Sequence, residues 1–261
     1  MIPELFKIGP LTINSFGVMA MLAFLVPTLI LRKELARIHL DPDIANGIAV
    51  AAMIGGFVGA RLYFIAERLP QFFAHPWDMI FTGAGLVWYG GLAGGFVGVT
   101  WYVNHNKISI PIICDLMAPL LALGQTFGRM GCLLSGDGDY GYATHVPWAL
   151  SFPKGVVPTN QLVHPTPIYD MIILLSIFAF LWKLRKKTYP TGFKFSLYLI
   201  LLGIGRIFTE FFRTTPKVLL GLTMAQLISI ALIITGLVWI GLGLSRAKTR
   251  TKVSKAQNVK A

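Results

Sequence analysis

The chain has 261 residues, of which 55% are hydrophobic and 13% charged, with a mean hydropathy of +0.67. Soluble domains carry about 25% charged residues, so the composition excludes a soluble globular protein and indicates an integral membrane protein. A net charge of +12 would suit a nucleic-acid binder, but the basic residues sit in short connections and in the tail, a topological pattern, so no nucleic-acid partner is expected.

The apolar runs predict an all-α protein with seven transmembrane helices, over residues 14–31, 46–65, 84–103, 111–130, 168–183, 194–212 and 218–244. None shows the alternation of a barrel strand. Residues 1–10 lack a basic stretch followed by an apolar core and a small-residue cleavage site, so the first span is expected to insert as a signal anchor. The third span is rich in glycine (Gly83, Gly85, Gly90, Gly91, Gly94, Gly95 and Gly98). Small residues let helices approach closely, and packing alone accounts for most of them. Tyr89, just before Gly90 and Gly91, reads equally as an interfacial belt residue or as a hydroxyl aimed into a cavity.

The fourth span closes on Gly128-Arg129-Met130-Gly131. A charge at membrane depth costs about 3 kcal/mol by insertion scales, so it faces a protein interior, water or an anion. The glycines suggest a tight turn with open backbone N–H groups. The arginine fork suits phosphate oxygens. Asp137 and Asp139 follow and are placed to orient the guanidinium or to receive a proton; the plainer alternative is a capping turn with an Arg–Asp ion pair. Asp137-Gly138-Asp139 hints at calcium, but the further oxygen ligands and distal glutamate of a calcium loop are missing. Residues 132–167 form a long polar, aromatic connection, the kind that carries function. Cys114 and Cys132 are expected to be free thiols.

His164-Pro165-Thr166-Pro167-Ile168-Tyr169-Asp170 precedes and opens the fifth span. Pro167 suits the first helical position, and Asp170 falls where the helix dipole favours a carboxylate. His164 is a candidate base, although a lone loop histidine is more often simply solvated. On the sixth span Arg206, Glu210 and Arg213 are spaced i, i+4 and i+7, one helix face. Glu210 is expected to hold one guanidinium and leave the other for a ligand; the alternative is a structural ion pair. Two deep arginines, Arg129 and Arg206, imply an anionic ligand, and lipid phosphate is the nearest abundant one.

Alternating spans put 15 basic residues on one side (Arg32, Lys33, Arg37, Lys107, Lys183, Arg185, Lys186, Lys187, Lys194, Arg246, Lys248, Arg250, Lys252, Lys255, Lys260) and 5 on the other (Lys7, Arg68, Lys154, Arg213, Lys217). The bias places the C-terminus in the cytoplasm and the N-terminus outside. The domain plan is a polytopic region over 1–245, with an outer loop at about 132–167, and a basic cytoplasmic tail over 246–261. The tail is expected to be disordered and to touch anionic headgroups. No phosphate-binding Gly-Lys-Ser/Thr loop and no metal-ligand spacing occur, so neither cofactor nor metal is expected.

An ordered set of motifs carries a resemblance across nearly the whole chain, from Ile8-Gly9-Pro10 to about Pro216. It comprises that Gly-Pro entry, Gly59-Ala60-Arg61-Leu62, Tyr89-Gly90-Gly91-Leu92, Asp115 with Ala118-Pro119, Gly128-Arg129-Met130-Gly131, His164-Pro165-Thr166-Pro167-Ile168-Tyr169, and Arg206 with Glu210 and Arg213. The chain resembles the prolipoprotein diacylglyceryl transferases of the bacterial cytoplasmic (inner) membrane. The resemblance implies transfer of a diacylglyceryl group from phosphatidylglycerol to the lipobox cysteine thiol of a prolipoprotein, with glycerol 1-phosphate leaving. The implied partners are phosphatidylglycerol, the prolipoprotein signal peptide and membrane lipids. Arg129 would bind the headgroup, and Arg206, partnered by Glu210, would hold the phosphate or leaving group. Tyr89 joins these as a catalytic candidate. Asp137, Arg213, Gly90, Gly91, Gly128 and Gly131 complete the expected substrate contacts.

The chain departs from the family pattern at Tyr89, where histidine is usual, at Cys132, where asparagine is, and at Phe16, where tyrosine is. The usual Asn-Gly-Glu reads Ser135-Gly136-Asp137, and the segment to Gly141 is one residue longer. The proton acceptor therefore stands among Tyr89, His164, Asp137 and solvent. The rival readings are a divergent paralogue with another lipid donor or acceptor, a lipid or anion transporter, and a membrane scaffold. A transporter would favour two related halves, which the sequence lacks, and a scaffold has no use for two deep arginines.

Overall fold

The computed structural model describes residues 2–9, 11–74, 76–81 and 87–258. Pro10 of the entry motif, Gly83 and Gly85 of the glycine-rich segment, and Lys260 of the tail lie outside the described residues. A short hairpin, β1 (Glu4–Ile8) and β2 (Leu11–Asn14), precedes α1 (Ser15–Arg37) and α2 (Ile44–Ala66). Two short helices, α3 (Leu69–Ala74) and α4 (Pro76–Phe81), lead to α5 (Trp88–His105) and α6 (Ile110–Ser135). A second hairpin, β3 (Leu150–Phe152) with β4 (Thr159–Val163), precedes α7 (Thr166–Leu184) and α8 (Phe193–Glu210). A third, β5 (Lys217–Leu219) with β6 (Leu222–Thr223), leads into α9 (Met224–Asn258).

By length and composition, α1, α2, α6, α7 and the stretch Met224–Gly243 of α9 are long and apolar enough to cross a membrane. Their exposed side chains include Ile54, Phe57, Ile172 and Leu237, as expected for surfaces that meet hydrocarbon rather than water. The other two expected spans correspond to α5 and α8, of 18 residues each. Glycines dilute the hydropathy of α5, and Lys194, Arg206 and Glu210 that of α8.

Three expectations are corrected. The fourth span does not end in a turn at Gly128–Gly131: α6 runs on to Ser135, and the left-handed glycines are Gly136 (φ +60°) and Gly138 (φ +94°). The seventh helix starts at Met224, because β5 and β6 occupy the first residues of that apolar run. The basic tail, expected to be disordered, continues α9 as helix to Asn258. Residues 244–258 contain neither proline nor glycine, so no breaker stops it.

The chain divides into two compact units, residues 1–27 with 114–261, and residues 28–113. The second unit is built on α2 against α5. A Cβ on Gly59 or Gly94 would run into the facing helix backbone, and Gly55, Gly90 and Gly98 approach their partners just as closely. The small-residue reading of this segment is therefore right for Gly90, Gly94 and Gly98. In the first unit the core lies between α6 (Ala118, Ala122), α7 (Ile177, Leu181) and α8 (Tyr198, Leu199). Gln125 Nε2 donates to the Tyr198 hydroxyl at 2.6 Å within it. Asp115 on α6 accepts from Gly192 N (2.8 Å) and Phe195 N (2.9 Å), satisfying N–H groups at the start of α8 that have no intrahelical partner. These contacts hold α6, α7 and α8 side by side.

Candidate functional site

Arg129 projects from the late part of α6, Asp170 from the first turns of α7, and Arg206 and Glu210 from the last turns of α8. Arg213 and Asp139 come from the connections. Asp170 gathers the three arginines. Its Oδ2 lies 3.2 Å from Arg129 Nε, 3.6 Å from Arg206 Nη1 and 2.8 Å from Arg213 Nη2. Asp139 bridges two of them, pairing with Arg129 and with Arg213, whose Nη2 donates to Oδ2 at 3.0 Å. Glu210 Oε2 stands 3.1 Å from Arg206 Nη2.

The cluster thus sets three guanidinium groups against three carboxylates. The side chains of Glu210, Asp170 and Arg213 are 0%, 8% and 8% exposed, whereas Arg129 (30%), Arg206 (25%) and Asp139 (20%) reach the surface. Glu210, Asp170 and Arg213 form the inner part of the cluster, and Arg129 and Arg206 are its partly exposed arginines. Burial raises the Asp139 pKa, but the Arg213 hydrogen bond and the charges of Arg129, Arg213 and Arg206 outweigh it and hold the carboxyl below its ordinary value. Burial alone would lower Arg213; the hydrogen bond with Asp139 and the charges of Asp139, Asp170 and Glu210 raise it instead.

The connection 132–167 folds so as to deliver Asp139. Gly138, between the two aspartates, takes the positive φ (+94°) that favours glycine in a tight turn. Asp137 Oδ1 accepts from the Asp139 N–H at 3.2 Å, and the Thr166 hydroxyl donates to the Asp139 carbonyl at 2.7 Å. Val156 N and Val157 N donate to the carbonyls of Ser135 and Gly136, and Tyr140 stacks on the buried Phe152. Gly141 bridges to Arg213, and Tyr142 N donates to the Phe212 carbonyl, which seats the segment after α8 against this loop.

Of the expected site residues, Arg129, Arg206, Glu210 and Arg213 come together. Three details differ from the sequence reading. Arg213 does not continue a helix face with Arg206, since α8 ends at Glu210, and it is bound by two carboxylates rather than left free. Of the two aspartates expected to orient Arg129, Asp139 pairs with it, whereas Asp137 accepts from the Asp139 N–H. Gly128 faces open space, whereas Gly131 packs beside Phe16 and Met19 inside α6 rather than in a turn. Tyr89, Gly90 and Gly91 belong to the other unit; Tyr89 is 44% exposed and Gly90 is buried against Gly59.

His164 is not a solvated loop residue. Its Nδ1 lies 2.9 Å from the Tyr169 hydroxyl, which also accepts from Trp148 Nε1 at 2.7 Å, and its ring packs on Phe212. Cys114 and Cys132 are free thiols. Asp170 is the residue that sequence reasoning undervalued. Its position in a first turn gave it a dipole role, and only the fold brings three arginines from other segments to it.

The family profile described as prolipoprotein diacylglyceryl transferase matches residues 3–242. A phosphatidylglycerol–prolipoprotein diacylglyceryl transferase of Clostridium tetani is 34% identical over 238 residues, covering 90% of this chain and 95% of its own length. Namesakes from Synechococcus elongatus and Leptospira interrogans are each 32% identical, covering 94% and 78% of this chain and 89% and 73% of their own lengths.

Proposed function

The chain belongs to the prolipoprotein diacylglyceryl transferase family, and on that premise we propose that its arginine–carboxylate cluster holds the headgroup phosphate of phosphatidylglycerol. The protein is a transferase of lipoprotein biosynthesis that moves a diacylglyceryl group from phosphatidylglycerol to the lipobox cysteine of a prolipoprotein. A divergent paralogue with another donor, or a transporter, is not favoured by these relatives.

The observation that carries the site assignment is the convergence of Arg129, Arg206 and Arg213 on Asp170. In the reaction the thiol sulfur forms a bond to the terminal glyceryl carbon. The bond from that carbon to phosphate oxygen breaks, and glycerol 1-phosphate leaves with the electron pair. Arg129 and Arg206, the two most exposed arginines of the cluster, stabilise charge gathering on the departing phosphate. Their field also favours the thiolate, whose thiol has an ordinary pKa of about 8.5. The thiol proton passes to Tyr89, His164, Asp137 or solvent; the roles of Tyr89, Gly90 and Gly91 rest on the motif alone. Asp137 contributes by holding the Asp139 backbone.

The same reading takes α1, α2, α5, α6, α7, α8 and α9 as seven crossings of the bacterial inner membrane. The N-terminus is outside, the loop of residues 132–167 lies on the outer side, and the tail from residue 246 is cytoplasmic. The distribution of basic residues supports this orientation. Transfer to a lipobox peptide tests the site. Arg206→Ala is expected to abolish it with the protein still in the membrane, and wild-type turnover by that variant would remove Arg206 from the site.

A further inference from the structure

We propose that the Asp139 carboxylate occupies the phosphate subsite when no lipid is bound, and that the substrate phosphate exchanges with it. The proposal rests on the reading of the cluster as the phosphatidylglycerol site. Three guanidinium groups and three carboxylates sum to zero charge. Adding a phosphodiester would leave a partly buried cluster with an uncompensated negative charge, which is costly. Releasing one carboxylate to water as the phosphate enters keeps the sum unchanged.

Asp139 is the carboxylate built to leave. Asp170 and Glu210 are carried on α7 and α8 and are 8% and 0% exposed, whereas Asp139 is 20% exposed and sits in a loop. It pairs with Arg129, the most exposed arginine of the cluster. Its backbone is held on both sides, by Asp137 at its N–H and by Thr166 at its carbonyl. A side-chain rotation therefore frees the carboxylate without moving the loop. Arg213 keeps Asp170 as a partner after the exchange, so the base of the cluster stays paired. The device favours an anionic headgroup, because a neutral lipid cannot replace the lost charge.

The test uses the full-length protein in vesicles containing phosphatidylglycerol, with a lipobox peptide as acceptor. Asp139→Asn is expected to lower KM for phosphatidylglycerol roughly tenfold, the equivalent of about 1.4 kcal/mol of competition removed, while Asp139→Glu keeps KM near the wild-type value. A raised KM in Asp139→Asn overturns the proposal. A second measurement needs no variant. Wild-type protein is treated with a water-soluble carbodiimide and an amine, with and without glycerol 1-phosphate, and Asp139 labelling is read by peptide mass spectrometry. Labelling that increases with the phosphate supports exchange; protection by it contradicts exchange. If wild-type protein transfers nothing to the peptide, the transferase reading itself fails, an outcome distinct from active protein whose Asp139 is protected.

Discussion

Asp170 Oδ2 stands 3.2 Å from Arg129 Nε, tying the first turns of α7 to the arginine near the end of α6. The same oxygen is 2.8 Å from Arg213 Nη2, so one carboxylate fixes two cations from distant parts of the chain. Replacing it leaves buried guanidinium groups short of an anion. Asp170→Asn is therefore expected to destabilise the protein by about 3 kcal/mol, the scale of breaking a buried pair, and to reduce transfer strongly. Thermal unfolding in detergent reads the first effect and peptide lipidation the second.

Arg129 offers a planar fork that lysine cannot reproduce. Arg129→Lys and Arg129→Ala are both expected to lose transfer by roughly 100-fold or more, the scale of removing one preorganised donor to developing charge. Both variants should remain in the membrane fraction. Normal lipidation by Arg129→Ala would contradict the assignment.

The contact between α2 and α5 is made of backbone. A Cβ on Gly94 would run into Gly59 and the Gly55 carbonyl. Gly94→Leu is expected to force the helices apart at a cost of about 1–3 kcal/mol, seen as a lower melting temperature. Gly128→Ala, inside α6 where a Cβ meets open space, is expected to raise the melting temperature slightly, since alanine favours a helix interior over glycine by about 1 kcal/mol.

The Asp139 carboxyl lies below its ordinary value of 3.8 in the folded protein. A group with a depressed pKa contributes stability above its unfolded value and loses it as pH falls through the folded one. Stability is thus expected to hold from neutrality to about pH 4 as far as Asp139 is concerned, and to fall on further acidification. Asp139→Asn should flatten that acid limb. An unchanged limb in the variant would show that another carboxylate sets it.

Much of the fold was legible because each helix buries little and displays an apolar surface, so hydropathy found α1, α2, α6 and α7 within a few residues of their ends at the N-terminal side. The sequence signal failed where a short-range pattern competes with tertiary context. Gly128 and Gly131 resemble turn formers but lie inside α6, held by packing with α1 at Gly131. The spacing of Arg206, Glu210 and Arg213 implies one helix face, yet pairing of Gly141 with Arg213 takes over after Glu210. The arginines were found because charge in an apolar run is costly. Asp170 and Asp139 were harder to rank, since acids in a helix's first turn or in a polar loop are ordinary until the fold places cations against them.

The most direct measurement weighs a synthetic lipobox peptide after incubation with the purified protein and phosphatidylglycerol. A diacylglyceryl adduct is expected on the cysteine, absent from the cysteine-to-serine peptide and lost with Arg129→Ala. An unmodified peptide, in a mixture where another member of the family is active, would contradict it.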